Sequence, residues 1–545
     1  MSQAMKLLVI GGVAAGASCA ARARRLCETA EITVLERGPD VSFANCGLPY
    51  HVGGEIPTRD VLAVQTPATL KGLLNLDVRT RCEAVRIDRA GKRVEVKNLV
   101  DGSSEWLSYD KLMLSPGASP IRPPIPGIDD QRIFTLRSLE DMDRVIAATE
   151  AGMRAVAIGA GFIGLEMAEQ LHHKGLSVEL VELQKQVLPQ LDKKMTMLLE
   201  SELRHHEIGV TLGDGIECFV PTPDALECHL KSGKVLKADF VVLSMGVKPD
   251  TQIARGAGLT LGPRGHIVVD HFQRTSDPDI YAAGDAVETE ELVFGDRIAL
   301  PMGGPANRQG RVAADHMLRP GAAHPYPGSL GTAIVRVFDV AAGVTGWTEK
   351  RMRDANKPCA SVIVNDHQHA TYFPGAKPLT LKLVWDTRDG RVVGAQATGG
   401  EGVDKRLDVI AACIQGKATI DDLCHLELAY APPFGSAKDI INLAGFAATN
   451  MRDGLFEQAG ELPFGDAQIV DVRPKPVADA FPLTGAINIP FPTLRANLDK
   501  LDRSKPVITV CAFGKMSYFA ARLLAQEGFD VTSFSGGMRG NRSEE

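Results

Sequence analysis

A glycine-rich turn that joins an apolar strand to a helix occurs twice in this chain, and this repeat constrains the fold more than any other feature. The first turn is GGVAAG, with glycines at Gly11, Gly12 and Gly16. The spacing of apolar residues predicts a strand, a helix and a strand around it, over residues 6–10, 14–26 and 32–35. Glu36 ends the second strand, 20 residues after Gly16. This order is typical of a βαβ unit that holds a pyrophosphate at the helix N-terminus and a ribose at the carboxylate.

The second turn, GAGFIG, matches the full dinucleotide-binding pattern G-x-G-x-x-G through Gly159, Gly161 and Gly164. The first turn departs from it because Val13 takes the place of the middle glycine, so a βαβ unit without a nucleotide stays an alternative there. The elements predicted around the second turn are a strand, a helix and a strand, over residues 154–158, 165–174 and 177–181. Glu182 follows, 18 residues after Gly164.

Two such units on one chain indicate two dinucleotides, a bound flavin and a diffusible nicotinamide. Glu182 bears on which nicotinamide is used. A carboxylate about 5 Å from a 2′-phosphate costs roughly 3 kcal/mol per phosphate charge at an effective dielectric constant of 20. That energy disfavours NADPH about a hundredfold, although Lys185 nearby would soften the effect. The sequence therefore favours NADH and leaves NADPH as an alternative.

One cysteine, Cys46, lies ten residues after Glu36 in the stretch SFANCGLPY. The nearest other cysteines, Cys27 and Cys82, are 19 and 36 residues away, so no closely spaced pair exists. Cys46 would need a sulfur partner from a substrate or a small-molecule thiol, or would become a sulfenic acid. We expect a helix to start at Gly47 and to lower the pKa of the thiol. A small buried cysteine without a chemical role is the alternative.

Two later segments are predicted to lie beside the flavin. Residues 109–120 predict a strand and a Gly/Pro turn that returns the chain towards the first unit. Asp285 follows Gly284 in YAAGDAVE, and its carboxylate could accept a hydrogen bond from a ribityl hydroxyl. A helix N-cap is the alternative for Asp285.

Length and charge limit the class of protein. The 545 residues suggest three or four domains, and the net charge of −7 argues against a nucleic-acid binder. Ten cysteines without paired spacing fit a reducing cytosol. No apolar run approaches the ~20 residues of a spanning helix, so we expect a soluble, cytoplasmic chain. The 13 histidines show no metal-binding pattern, and we predict no metal site.

A further set of strands and a helix is predicted near the C-terminus. Strands are predicted over 468–471 and 507–510, and the second of them opens into Cys511-Ala512-Phe513-Gly514-Lys515-Met516-Ser517 before a helix over 518–526. A cysteine at the end of a strand, in a short loop that leads into a helix, faces converging N–H groups. These groups suit a thiolate or a persulfide anion.

Residues 5 to about 450 resemble the pyridine nucleotide-disulfide oxidoreductases, specifically the branch of single-cysteine coenzyme A-disulfide reductases. The matching pieces are GGVAAGASCAARARR, SFANCGLPY, GAGFIGLE, YAAGDAVE, GPANRQGR and YAPPFGSAKD. That branch shares the departure at Val13. The resemblance implies FAD in the first unit, NAD(P)H in the second, and a third region that forms the interface of a homodimer.

The same resemblance implies roles for individual residues. Cys46 would attack a disulfide or persulfide as a thiolate. Tyr430 would reach across the dimer to polarise its sulfur, with a core tyrosine whose hydroxyl is satisfied as the alternative. Four residues match the positions that hold coenzyme A, with ordinary surface charge as the alternative for the basic ones: Arg22, Lys71, Asn307 and Arg308. The family has a second tyrosine in a YYPGA stretch, where this chain has Tyr372 followed by Phe373, so Tyr372 is the one candidate catalytic tyrosine left in that stretch.

The C-terminal segment resembles a rhodanese domain through DVR, GAINIP, C-x-x-G-x-x-S and SGGM. Met516 stands where an arginine is common, so an inactive domain that serves only for docking is the alternative. The predicted fold class is α/β, with two Rossmann-like domains, an α+β dimerisation domain and an α/β rhodanese-like domain. The predicted boundaries are 1–150 and 276–325 for the flavin domain, 151–275 for the nicotinamide domain, 326–450 for dimerisation, 451–462 for a linker and 463–545 for the rhodanese-like domain.

Together these features predict a flavoenzyme that uses NADH to reduce coenzyme A persulfide, polysulfide or coenzyme A disulfide. Cys46 would form a mixed disulfide with coenzyme A, and Cys511 would carry sulfane sulfur, taken from a small molecule or a donor protein. One alternative is an NADH oxidase or peroxidase that uses Cys46 as a sulfenic acid. The other is a redox-responsive binding protein.

Overall fold

The computed structural model describes residues 4–460 and 465–540. The chain forms two compact units, Met1–Lys185 with Ile208–Ser329, and Gln186–Glu207 with Leu330–Glu545. The segment Gln186–Glu207 thus packs with the second unit, although it lies inside the range predicted for the nicotinamide domain. In the described residues, no helix is long and apolar enough to cross a membrane.

The first unit contains two parallel five-stranded sheets, one for each glycine-rich turn. The first sheet has the order Ile280–Ala282, Lys111–Leu114, Lys6–Ile10, Glu31–Leu35 and Asp77–Arg79. The second has the order Gly209–Leu212, Ser177–Glu182, Arg154–Ile158, Phe240–Leu243 and Ile133–Thr135. After a basic first residue, the central strands Lys6–Ile10 and Arg154–Ile158 are apolar and buried, because helices cover both faces of a parallel sheet.

The matching register of the two sheets explains why the glycine turns occupy equivalent places. Lys6 pairs with Glu31 and Arg154 pairs with Ser177, so each turn leaves the carboxyl end of a central strand. The helices of this unit are Ala14–Leu26, Leu48–Gly53, Pro67–Leu74, Leu139–Ala147, Phe162–His173, Gln252–Gly256 and Gly303–Leu318. In open α/β sheets, ligands bind at the carboxyl ends of the strands, where both glycine turns lie.

Small sheets complete the first unit. They comprise Cys82–Asp88, Arg93–Asn98 and Ser104–Ser108; Ile216–Pro221, Leu226–Leu230 and Val235–Ala238; Ile267–Val268, Val287–Glu290 and Arg297–Ile298; and Ala118–Pro120 with Val247–Pro249. The segment 109–120, predicted to return the chain towards the first unit, contains a strand of the first five-stranded sheet, Lys111–Leu114, followed by the strand Ala118–Pro120 of the last small sheet. Gly117 makes the turn between them with φ +74°.

The second unit is built on an antiparallel five-stranded sheet. Its order is Ala333–Val337, Val340–Gly346, Val392–Gly399, Pro378–Asp386 and Cys359–His367. The helices that accompany it are Lys193–His205, Glu349–Asp354, Val403–Gln415, Ile420–Cys424 and Ile440–Arg452. Lys382 is buried in this sheet between Asp192 and Glu349, at 2.7 and 2.6 Å. The ion pair between Lys382 and Asp192 attaches the segment Gln186–Glu207 to the sheet.

A parallel sheet forms the C-terminal part of the second unit. Its order is Gln458–Ala459, Val531–Phe534, Val507–Val510, Gln468–Asp471 and Ile487–Asn488. Its helices are Lys475–Ala480 and Lys515–Gln526. The edge strand Gln458–Ala459 lies inside the predicted linker 451–462, so this sheet begins before the predicted boundary. Residues 461–464, which hold the end of that linker, lie outside the described residues.

Candidate active site

The first and third glycines of both turns are required by close backbone packing. Gly11 and Gly159 have φ of +90° and +100°, which side chains rarely allow. A Cβ at Gly16 would lie 1.8 Å from the Gly11 oxygen, and a Cβ at Gly164 would lie 1.8 Å from the Gly159 oxygen. The strand and the helix approach one another too closely for any side chain at these four positions.

The middle position of the turns differs between the copies. A Cβ at Gly161 would meet no protein atom within 4 Å, and its φ of −76° is open to any residue. A glycine that the protein's own packing does not require suits the close approach of a pyrophosphate. Neither Val13 nor Gly161 caps its helix with a side chain, and the first turns hold no acidic residue. The helix N–H groups are thus left for phosphate oxygens.

Two carboxylates hold the glycine turns in place. Glu36 accepts hydrogen bonds from the backbone N–H of Gly12 at 2.8 Å and of Gly38 at 2.9 Å. Glu182 accepts them from Ala160 at 2.7 Å and from Gln184 at 2.8 Å. Each carboxylate oxygen uses one lone pair in this way and keeps another that a ribose hydroxyl could use. Both glutamates therefore lie where the sequence predicts them, beside the turns.

Cys46 lies in a 3₁₀ turn, Asn45–Gly47, directly before the helix Leu48–Gly53. A helix start is present as expected, but the expected lowering of the pKa is wrong. Although the Cys46 side chain is solvent-exposed, partial desolvation raises the pKa of its thiol, and the carboxylates of Glu166 and Asp285 raise it further. The six-residue helix has too weak a dipole to offset partial desolvation and two negative charges.

Replacing Glu166 by Gln should therefore make Cys46 more reactive. Removing the negative charge lowers the pKa of the thiol, so more thiolate is present at pH 7. We expect alkylation of Cys46 by iodoacetamide to become about three- to tenfold faster at that pH. Rates are measured on the Cys46 peptide by mass spectrometry.

The increase should vanish at a pH above the pKa of both forms, where wild type and variant are equally ionised. Glu179→Gln, a charge removal on the neighbouring strand Ser177–Glu182, should leave the rate unchanged. An unchanged rate in Glu166→Gln would contradict the role of this carboxylate.

Asp285 lies in the turn after the strand Ile280–Ala282, and the chain then continues into the strand Val287–Glu290. The alternative of a helix N-cap is wrong, because no helix follows. Burial raises the pKa of Asp285, and Arg137 lowers it in part. No described residue donates a hydrogen bond to this carboxylate, which suits a hydroxyl of a bound FAD. The residues around the first turn thus fit that cofactor.

Two of the predicted coenzyme A positions lie on neighbouring helices, Ala14–Leu26 and Gly303–Leu318. The helices cross closely, since a Cβ at Gly310 would lie 2.1 Å from a backbone oxygen of the first helix. Arg22 Nε donates to a carboxylate of the second helix at 2.7 Å. Asn307 Oδ1 accepts a hydrogen bond from a serine hydroxyl of the first helix at 2.6 Å. Both side chains thus form hydrogen bonds across the contact between the two helices.

The other two positions are exposed cations. Lys71 Nζ donates to Asn75 Oδ1 at 2.7 Å, at the end of its own helix Pro67–Leu74. Arg308 lies on the exposed side of its helix, next to Asn307 in sequence. Their charge is available to an anionic ligand, and the roles of all four residues stay predictions.

Tyr372 and Tyr430 are brought together in the second unit. Their hydroxyl groups lie 2.9 Å apart, and this hydrogen bond raises the pKa of Tyr372. The side chains are 73% and 49% exposed, which is unusual for large aromatic residues. The single tyrosine left beside Phe373 therefore still forms a tyrosine pair.

Cys511 lies at the end of the strand Val507–Val510 and is almost fully buried. The N–H groups of Gly514 and Ser517 donate to its Sγ at 3.1 and 3.2 Å, and the Ser517 hydroxyl lies 3.4 Å away. The helix begins at Lys515, three residues earlier than predicted, so its first turn surrounds the sulfur. This cradle of donors stabilises a negative sulfur atom.

Sequence reasoning missed several residues that shape these sites. Ser115 and Ser244 lie beyond the turns in sequence, yet their hydroxyl groups donate to the turn carbonyls at 2.8 to 3.0 Å in both copies. Ser517 was part of a recognised motif but received no role. Asn365 gave no signal at all, because it lies far in sequence from the residues it contacts.

A further cluster joins Glu55, Glu169 and His173, whose ligand atoms lie within 4.8 Å of one another. The cluster is invisible to short-range patterns because Glu55 lies over a hundred residues before the others. Such groups are common without an ion, so the absence of a metal site stays a prediction.

Three family models match the chain. Residues 5–309 match pyridine nucleotide-disulphide oxidoreductase, 332–439 match its dimerisation domain, and 457–544 match the rhodanese-like domain. A coenzyme A disulfide reductase from Staphylococcus epidermidis is 33% identical over 446 residues, which cover 81% of this chain and 99% of that protein.

Two solved structures resemble almost the whole chain, each at 40% identity. The reduced CoADR-RHD of Bacillus anthracis has a TM-score of 0.95 and covers 98% of this chain and 97% of its own. The NAD-dependent persulfide reductase of A. fulgidus has a TM-score of 0.94 and covers 98% of this chain and 100% of its own. The resemblance and the fold class expected from the sequence are confirmed. The chain therefore belongs to the pyridine nucleotide-disulphide oxidoreductases, as an FAD-dependent enzyme of that family with a C-terminal rhodanese-like domain.

Proposed function

We propose that this enzyme uses NADH to reduce coenzyme A persulfide, polysulfide or coenzyme A disulfide through the single cysteine Cys46. The observation that carries the proposal is the setting of this thiol. Its pKa responds both to Glu166, on the helix after the nicotinamide-binding turn, and to Asp285, in the flavin-binding segment. Cys46 is thus a free thiol close to both cofactor units.

The chain's own residues do the following in this proposal. The sulfur at Cys46 would receive two electrons, which FAD and NADH would supply when bound at the two glycine-rich turns. With coenzyme A attached there, the pair breaks the S–S bond, leaving a Cys46 thiolate and a coenzyme A thiolate that takes up a proton. The Cys46 thiolate then attacks one sulfur of coenzyme A disulfide, which re-forms the mixed disulfide and releases the second coenzyme A thiolate.

A persulfide follows a parallel course. The Cys46 thiolate attacks its outer sulfur, so a Cys46 persulfide forms and coenzyme A leaves as a thiolate. Two electrons and two protons then release hydrogen sulfide and regenerate the Cys46 thiol. The raised pKa of Cys46 means that its thiolate is a stronger nucleophile when formed but less abundant at neutral pH.

The binding roles follow the predicted positions. Arg22, Lys71 and Arg308 offer cationic groups to the phosphates of coenzyme A, and Asn307 offers an amide to the pantetheine arm. The pairing of Arg22 with a carboxylate orients its guanidinium, whose remaining N–H groups can still bind a phosphate. Glu182 beside the second turn favours NADH, because a 2′-phosphate there would meet its negative charge.

We infer a homodimer through the dimerisation domain. The exposed aromatic side chains of Tyr372, Tyr430 and Phe434 in this domain suit burial against a second subunit. Tyr430 of one subunit would then polarise the sulfur at Cys46 of the other. All ten cysteines are free, which supports a reducing, cytoplasmic setting.

The rhodanese-like domain supplies a second sulfur site in this proposal. The Cys511 thiolate takes the sulfane sulfur of thiosulfate, so that a Cys511 persulfide anion forms and sulfite leaves. The N–H groups of Gly514 and Ser517 hold the anion before the sulfur passes to an acceptor. A sulfur-donor protein would serve in place of thiosulfate.

The intact mass of the purified protein tests whether Cys46 forms a mixed disulfide with coenzyme A. We expect an adduct with the mass of coenzyme A that is lost on treatment with a reductant and that maps to the Cys46 peptide. The same protein treated with coenzyme A disulfide after reduction should regain the adduct. Failure to form it under either condition would overturn the mixed disulfide.

A further inference from the structure

The donors that hold Cys511 include one peptide group whose orientation the loop alone does not determine. The N–H of Gly514 points at the sulfur at 3.1 Å. Gly514 has φ +86°, and glycine adopts positive and negative φ almost equally. The peptide between Phe513 and Gly514 can therefore rotate at little local cost. A rotation would remove its N–H from the sulfur and present a carbonyl oxygen instead.

Asn365 of the antiparallel sheet contacts this peptide from the other side. Its Nδ2 donates to the Phe513 oxygen at 3.1 Å and to the Gly536 oxygen at 2.7 Å. The C=O and N–H of a trans peptide point in opposite directions. By holding the Phe513 carbonyl, Asn365 therefore keeps the Gly514 N–H on the sulfur.

Asn365 is itself fixed in one orientation. Its side chain is largely buried, and its Oδ1 accepts a hydrogen bond from the Thr380 hydroxyl at 2.5 Å. That contact requires the amide nitrogen to face the loop, since only the oxygen accepts from Thr380. The ring of His367, two residues along the same strand, stacks on the Phe513 ring with centroids 5.9 Å apart. The antiparallel sheet thus contacts the Cys511 loop through two side chains, Asn365 and His367.

We propose that Asn365 is a positioning residue for Cys511, supplied to the rhodanese-like domain by the dimerisation-domain sheet. It touches neither the sulfur nor a substrate, and it acts through the orientation of the Phe513–Gly514 peptide. The inference deepens the sulfur-transfer role of Cys511 and rests on that part of the proposed function. The transfer itself joins the thiolate sulfur to the outer sulfur of thiosulfate, while the S–S bond of thiosulfate breaks and sulfite leaves with the electron pair.

The test uses the full-length protein and the variant Asn365→Leu, which keeps the branched arrangement of side-chain heavy atoms and removes both N–H donors. We expect alkylation of Cys511 by iodoacetamide to slow about tenfold at pH 7, from the loss of one hydrogen bond to a charged group. Thiosulfate:cyanide sulfurtransferase activity should lose about tenfold in kcat with little change in the KM for thiosulfate.

Gln458→Ala is the matched control for a general loosening of the domain contact. Gln458 exchanges two hydrogen bonds of 3.1 Å with Ile363, on the same strand as Asn365, and accepts one from the Ser535 hydroxyl at 2.9 Å, but none of its hydrogen bonds in the described part of the chain reaches residues 511–517. It should leave the alkylation rate within about twofold of wild type. Thr380→Val should give an intermediate loss, since it frees the Asn365 amide to turn, and Thr380→Ser should restore the wild-type rate.

The outcomes separate the inference from the function beneath it. If wild type forms no Cys511 persulfide from thiosulfate, the sulfur-transfer proposal fails, while the alkylation rates still test Asn365. Equal alkylation rates in wild type and Asn365→Leu would overturn the positioning role. Equal slowing in Asn365→Leu and Gln458→Ala would also overturn it, because loose packing would then be the cause. Should Asn365→Leu fail to fold, the contrast between Thr380→Val and Thr380→Ser decides.

Discussion

Replacing Cys46 by Ser should lower NADH-driven reduction of coenzyme A disulfide and coenzyme A persulfide by about a thousandfold or more. A serine hydroxyl is a far weaker nucleophile than a thiolate and cannot form a disulfide with coenzyme A. The measurement is NADH oxidation with each substrate, together with release of thiol or sulfide. The variant should also lack the adduct of coenzyme A mass.

Cys27→Ser is the matched control. Cys27 is a free thiol whose pKa is lowered by its hydrogen bond with Thr29, so ionisation alone would make it the better nucleophile. It follows the last residue of the helix Ala14–Leu26, about 20 Å along the helix from the glycine turn. Because Cys27 lies away from the glycine turn, we expect Cys27→Ser to retain wild-type activity although the pKa of the Cys27 thiol is lowered.

The same experiment separates the competing functions. Full turnover of coenzyme A persulfide by Cys46→Ser would contradict the proposal. Rapid NADH-driven consumption of oxygen or peroxide, without turnover of disulfides or persulfides, would support an oxidase or peroxidase with a Cys46 sulfenic acid. No turnover of any of these substrates by wild type would favour a redox-responsive binding protein.

Gly161→Ala should impair NADH binding without harming the fold. The added methyl group meets no protein atom within 4 Å, and the backbone angles accept alanine without strain. The methyl group instead occupies the space through which a pyrophosphate approaches the helix. We expect kcat/KM for NADH to fall about tenfold or more, with the melting temperature within about 3 °C of wild type. Steady-state kinetics and thermal unfolding measure the two effects.

Gly164→Ala should behave in the opposite way. Its Cβ would lie 1.8 Å from the Gly159 carbonyl oxygen, a backbone atom that cannot move aside cheaply. We expect the free energy of unfolding to decrease by about 2 kcal/mol or more. A large loss of stability in Gly161→Ala, or unchanged NADH kinetics, would contradict the assignment of the open middle position to the cofactor.

The local elements of both glycine turns could be read from the sequence to within a few residues. The helix Ala14–Leu26 and the strands Lys6–Ile10 and Arg154–Ile158 have the predicted bounds. The helix Phe162–His173 begins earlier than predicted, because its first residues follow the glycines directly and carry no periodic signal of their own. These features depend on residues close in sequence, where apolar spacing and glycine placement dominate.

The sequence by itself determined the chemistry-bearing residues: two dinucleotide turns, an unpaired cysteine after the first and a cysteine loop near the end. Only the tertiary structure decided how their surroundings act. The pKa of Cys46 is raised, because partial desolvation and two carboxylates from distant segments outweigh a short helix. The tertiary structure also placed Asn365 behind the Cys511 loop. Interactions of this kind depend on distances between residues remote in sequence, which local patterns do not encode.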